Sequence, residues 1–144
     1  MLTIKSKLEM TKPNIYIANV MGPENDPLDV AHAIEVNPFV NSIYTLGAVY
    51  PADVVLFAPD QILQDISVRT EVELMRADII IVDLRNGEPI EMGHALAKQT
   101  PMVLFNPNRS PINPLIYGRY VIEITSMDDL ADLNYLKIHL TGDR

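Results

Sequence analysis

The sequence predicts a doubly wound α/β domain, a five-stranded parallel sheet held between two helical layers. Three features lead there: five short apolar segments rich in β-branched and aromatic residues, helical stretches alternating with them, and prolines gathered between the two. Segments that are apolar on both faces suit strands covered from both sides, and regular alternation with helices implies right-handed crossovers.

Taken in order, the first strand is Asn14–Ala18 (NIYIA), and a helix follows over residues 28–36. Residues 41–51 are the least regular stretch and are assigned a helical turn, with the second strand over residues 53–57 and a helix over residues 67–76. The third strand, residues 78–83 (DIIIVD), runs through the loop LRNGEP into a helix over residues 90–99 (IEMGHALAKQ). Met102–Phe105 and residues 120–124 complete the strands, and residues 127–136 form the last helix. Pro23, Pro27, Pro51, Pro59, Pro101, Pro107, Pro111 and Pro114 fall between these elements, where a missing N–H disturbs no ladder. The arrangement is that of a flavodoxin-like three-layer sandwich. A chain of 144 residues with no repeat or linker is expected to form one domain over residues 1–144, with an ordered core over about 13–136.

Composition narrows the function. Hydrophobic residues at 48% and charged residues at 21% match a globular chain rather than a disordered one. A net charge of −8, with no run of basic residues, argues against a nucleic-acid polymer as partner, since such binding needs clustered Lys and Arg. The longest apolar run is too short for a bilayer, and the N-terminal residues lack the apolar stretch of a secretory leader, so a cytoplasmic location is the expectation. With no cysteine, thiolate chemistry and disulfides are excluded. His32, His94 and His139 are scattered without metal-ligand spacing, so neither a metal nor another cofactor is expected. P-loop, nucleophile-elbow and dinucleotide fingerprints are absent as well.

In an open parallel sheet, ligands bind beyond the carboxyl ends of the strands. The loop after the first strand carries Asn19 and Gly22, suited either to line a sugar or base or to make an ordinary turn. In the loop after the third strand, Pro89 suits a first helical position and places Glu91 in the first turn. Free N–H groups and the positive end of the helix dipole favour an ionised carboxylate there. Two readings of Glu91 follow: a capping residue, or a nucleophile able to attack an anomeric carbon and form a covalent glycosyl intermediate. Tyr16 is either a core residue or the hydrogen-bonding support of that carboxylate. Asp83 caps its loop or positions a sugar hydroxyl.

The segment ADIIIVDLRNGEPIEMGHALAKQTPMVLF resembles the signature of the nucleoside 2-deoxyribosyltransferase family, which includes the related nucleoside 5′-monophosphate N-glycosidases. The matching positions are Ala77-Asp78, Gly87 in the loop, and Glu91-Met92-Gly93-His94-Ala95. Asn14–Ala18 is similar to the family's first strand, whose tyrosine lies at the active site, and residues 110–121 are similar to its late loop and last strand. The resemblance implies that Glu91 is the nucleophile and Tyr16 its neighbour. It further implies a nucleoside or nucleotide and a free base as ligands, and a homodimer or larger assembly whose neighbouring subunit completes the site, with Tyr117, Tyr120 or the C-terminal tail as the candidates to contribute across that boundary. Two positions depart from the pattern: Arg85 stands where the transferases carry an aspartate, and Thr70 stands at a second acidic position, with Glu71 beside it. The resemblance then makes Arg85 and Asn86 candidate holders of a 5′-phosphate, against a solvated loop charge, and Glu71 a candidate base contact, against a charged helix face.

Overall fold

The computed structural model describes residues 12–20, 26, 28–46 and 57–142. Its sheet has five strands: β1 (Asn14–Ala18), β2 (Ser42–Tyr44), β3 (Ile79–Asp83), β4 (Met102–Phe105) and β5 (Ile122–Ile124). They are all parallel and run in the order β2-β1-β3-β4-β5, the flavodoxin-like winding. The order of strand addition reverses between β1 and β3, and the crevice at this switch point is where such folds bind ligands.

The helices described are α1 (Asp29–Ile34), α2 (Asp60–Arg76), α3 (Glu91–Lys98), α4 (Met127–Ala131) and α5 (Tyr135–Thr141). Strand pleating distributes them. Ile15, Ile17, Ile79, Ile81, Val103 and Phe105 face a layer that holds Val30 and Ile34 of α1, Leu130 of α4 and Ile138 of α5. The alternate residues Tyr16, Ala18, Ile80, Val82, Met102 and Leu104 face the other layer, with Met92 and Ala95 of α3. Successive side chains of a strand point to opposite faces, so the near-continuous apolar run IIIV in β3 supplies both cores.

Three expectations change. The second strand of the sheet is Ser42–Tyr44, inside the stretch read as a helical turn. Three residues are too few for periodicity to declare a strand, and what fixes this one is its pairing of Asn14 with Ser42 through Tyr16 with Tyr44. Of the strand expected over residues 53–57, Phe57 is helical and the others lie outside the described residues. The helix expected over residues 67–76 starts seven residues earlier, at Asp60, directly after the extended Pro59 and with an acidic residue in its first turn. The expected helix over residues 127–136 is two helices, because Asn134 breaks the run and caps the second, its side chain accepting from Lys137 N at 3.0 Å.

Candidate active site

β1 and α3 bring two side chains together at the switch point. Tyr16 sits mid-strand on the α3 side of the sheet and is 1% exposed. Glu91 opens α3, after a turn in which Met92 N donates to Pro89 O and Gly93 N to Ile90 O. The Tyr16 hydroxyl donates to Glu91 Oε2 at 3.0 Å. Burial, and after it the charge and hydrogen bond of Glu91, push the Tyr16 phenol well above its ordinary pKa, so it remains a donor at neutral pH. With Oε2 so engaged, Oε1 is the oxygen left to address a ligand. Behind the pair, the Tyr16 and Tyr44 rings lie 5.4 Å apart, and the Tyr44 hydroxyl shares a 2.9 Å hydrogen bond with that of Thr70. Tyr16 is thereby packed in place from β2 and α2.

Tyr16 and Glu91 border a cavity of about 550 Å³, within the usual range for a small-molecule site. Leu63, Ile66 and Leu74 of α2 form an apolar wall, with Ser67, Thr70 and Glu71 on the same helix. Asn19 closes the β1 end, and Ile90 and His94 join Glu91 on the α3 side. His94 lies three positions after Glu91 and so on the same helix face, and the structure uses that face to line the cavity.

The remaining candidates lie elsewhere. Asp83 belongs to the opposite parity from Tyr16 and Ile80 on the pleated sheet, and so emerges on the α1 side. There it is 1% exposed and accepts from Arg85 Nε at 3.0 Å, Arg85 Nη2 at 2.7 Å and the Arg85 backbone N–H at 3.1 Å. The other edge of the guanidinium forks onto Asp29 of α1, at 2.6 and 2.7 Å. The Arg85 group also lies 5.1 Å above the Phe105 ring. These hydrogen bonds hold Asp29 below the ordinary carboxylate range and raise Arg85 further still. Arg85 therefore ties the loop before Glu91 to the start of α1 rather than lining the cavity. Asn86 donates to Val20 O at 3.3 Å, linking the same loop to the end of β1. Gly87, with φ at 115°, makes a bend that a side chain would strain. Tyr120 borders a separate cavity of about 410 Å³ at the amino ends of β4 and β5, beside Thr100 and Arg119, and does not line the one that Glu91 borders. Gly22 lies outside the described residues.

The chain thus has a flavodoxin-like fold with a paired carboxylate and phenol at its switch point. The fold is shared with a solved structure of a 2-deoxyribosyltransferase from the psychrotolerant bacterium Bacillus psychrosaccharolyticus, described as a biocatalyst for the synthesis of antiviral and antitumoral nucleosides. The similarity has a TM-score of 0.64 at 18% sequence identity and covers 83% of this chain and 91% of that one. No protein-family model and no curated protein matches the chain. Among the described residues, no helix is long and apolar enough to cross a membrane.

Proposed function

We propose that this chain cleaves or exchanges the N-glycosidic bond of a nucleoside, as a nucleoside 2-deoxyribosyltransferase-like enzyme working through a covalent glycosyl–glutamate intermediate. The observation that carries the reading is the Tyr16–Glu91 hydrogen bond at the mouth of a ligand-sized cavity. The resemblance of the surrounding sequence supports it, as does the shared fold. In the reaction, Glu91 Oε1 bonds to the anomeric carbon while the carbon–nitrogen bond breaks, its electron pair leaving with the base, which takes up a proton. A second base then displaces the carboxylate and loses a proton, or water does so and the sugar is released. Tyr16 holds Glu91 in the attacking orientation.

The same geometry favours an unphosphorylated nucleoside over a 5′-monophosphate. Arg85, the basic group nearest in sequence, is already forked onto two carboxylates, and the described lining of the cavity contains Glu71 and Glu91 but no Lys or Arg. A phosphate dianion there would meet acidic groups without a cation to offset them. We further take the protein to self-associate, because α2 leaves Ile62, Val68, Val72 and Met75 exposed, and keep the cytoplasmic location expected from the sequence.

The test incubates the protein with a deoxynucleoside and a different free base, and in parallel with the corresponding monophosphate. Exchange of base, together with a sugar adduct on Glu91 seen by mass spectrometry of the intact chain, is the expected result. Glu91→Gln should lower turnover by at least about a thousandfold while leaving the fold intact. Exchange without an adduct, or full activity in Glu91→Gln, overturns the mechanism. Release of base from the monophosphate alone would assign the hydrolase instead.

A further inference from the structure

His94 borders the cavity, and one of its ring nitrogens has no task in the unliganded chain. His94 Nε2 is buried from water and has no hydrogen-bond partner. Buried polar groups in native proteins are almost always paired, so such a group marks either strain or an absent ligand. Its neighbours are otherwise committed: the Tyr16 hydroxyl is spent on Glu91, and that of Thr70 bonds Tyr44. Ser67 and Glu71, on the opposite wall, stand in water.

We propose that His94 is the residue that binds the nucleobase, holding its polar edge while the ring lies against the apolar wall of α2. The inference rests on the proposed glycosyl transfer and names the part of that site that recognises the departing and incoming base. Glu91 fixes the position of the anomeric carbon, which must lie roughly 3–3.5 Å from the attacking oxygen. His94 follows three residues later on the same helix face, about 4.5 Å further along the axis. A base is bonded directly to the anomeric carbon, so its ring falls in the same small cavity, between His94 and the side chains of Leu63, Ile66 and Leu74. Those three offer contact with a flat face but no hydrogen bond. In its neutral form an imidazole carries one donor and one acceptor, which suits the ring nitrogens and carbonyl oxygens of a base edge. The outline of the ring is nearly unchanged by a half-turn about Cβ–Cγ. A bound base can therefore select the orientation that presents Nε2 to it without repacking the helix.

The experiment separates base-dependent from base-independent steps. Wild-type protein, His94→Leu and His94→Gln are each loaded with sugar from a deoxynucleoside. Resolution of the adduct is then followed with water alone and with increasing free base. In His94→Leu the KM for the acceptor base should rise about ten- to a hundredfold, the range expected when a buried polar edge loses its partner. The acceptor-base KM should change at least about tenfold more than the rate of adduct hydrolysis by water, in which no base takes part. His94→Gln, which keeps a donor and an acceptor, should recover most of the base affinity. Equal losses in the water and base reactions, or an unchanged KM in His94→Leu, would overturn the assignment while leaving the Glu91 mechanism standing. Failure of wild-type protein to form any adduct would overturn both, and is recognised before a variant is compared.

Discussion

Tyr16→Phe isolates the contact on which the proposed chemistry turns. The substitution removes one oxygen and keeps the ring, so the packing against Tyr44 at 5.4 Å and the surrounding core survive. What disappears is a donor to a carboxylate at 3.0 Å. Hydrogen bonds to charged groups contribute about 1.5–3 kcal/mol. Glu91 is only half-buried, so water replaces part of the interaction and the lower end of that range applies. With about 1.4 kcal/mol per tenfold in rate, kcat for base exchange should fall about tenfold while KM for the nucleoside changes little. Chromatographic base-exchange rates on Tyr16→Phe and Tyr44→Phe supply the comparison. The second variant removes a hydroxyl that bonds Thr70 and spares the Tyr16–Glu91 contact, so its kcat should stay within about threefold of wild type. A Tyr16→Phe enzyme with kcat within about twofold of wild type would refute the reasoning, since Glu91 would then be oriented without help.

Other outcomes follow from the same structure. Arg85→Met leaves Asp83, 1% exposed, without its guanidinium, and should cost about 3 kcal/mol, lowering the melting temperature by roughly 10 °C in thermal denaturation. The Arg85 hydrogen bonds lower the folded pKa of Asp29 beneath its unfolded value, so their stabilisation is complete above the unfolded pKa. It is lost as pH falls through the folded one, and denaturant titrations below about pH 4 should show a shallower acid loss in Asp29→Asn than in wild type. Tyr16 runs the opposite way: its folded pKa is raised, so stability is complete below about pH 10 and declines above it. Tyr16→Phe should therefore flatten the alkaline limb of the stability curve. Gly87→Ala, at a φ of 115°, should destabilise by about 1–3 kcal/mol in urea unfolding.

Much of this architecture was legible in the residues because local pattern and tertiary role agree. The IIIV run of β3 and the strands around Tyr16 and Leu104 read as doubly covered strands, and they are. β2 escaped because a three-residue edge strand has no period to read; the register with β1 defines it. At the site, the nearness of Glu91 to Tyr16 spans 75 positions and came only from the resemblance, since no local signal joins them. Alternation along β3 does carry a readable signal: Asp83 is an odd number of residues from Ile80 and must leave the sheet on the face away from Tyr16. The pairing of Arg85 with Asp29, 56 positions away, could not be read in advance, because a loop charge looks the same whether it meets water or a distant carboxylate.

Of the 17 residues of α2, Ile66 alone is buried, so the helix that walls the cavity is lightly held. A segment with so little packed surface opens locally well below the free energy of global unfolding. Its amide hydrogens should exchange with deuterium far sooner than those of β3, and any molecule that fills the space between α2 and α3 should slow them in proportion to its affinity. This lightly packed wall thus doubles as a reporter of occupancy, readable on unlabelled protein with a panel of bases and nucleosides.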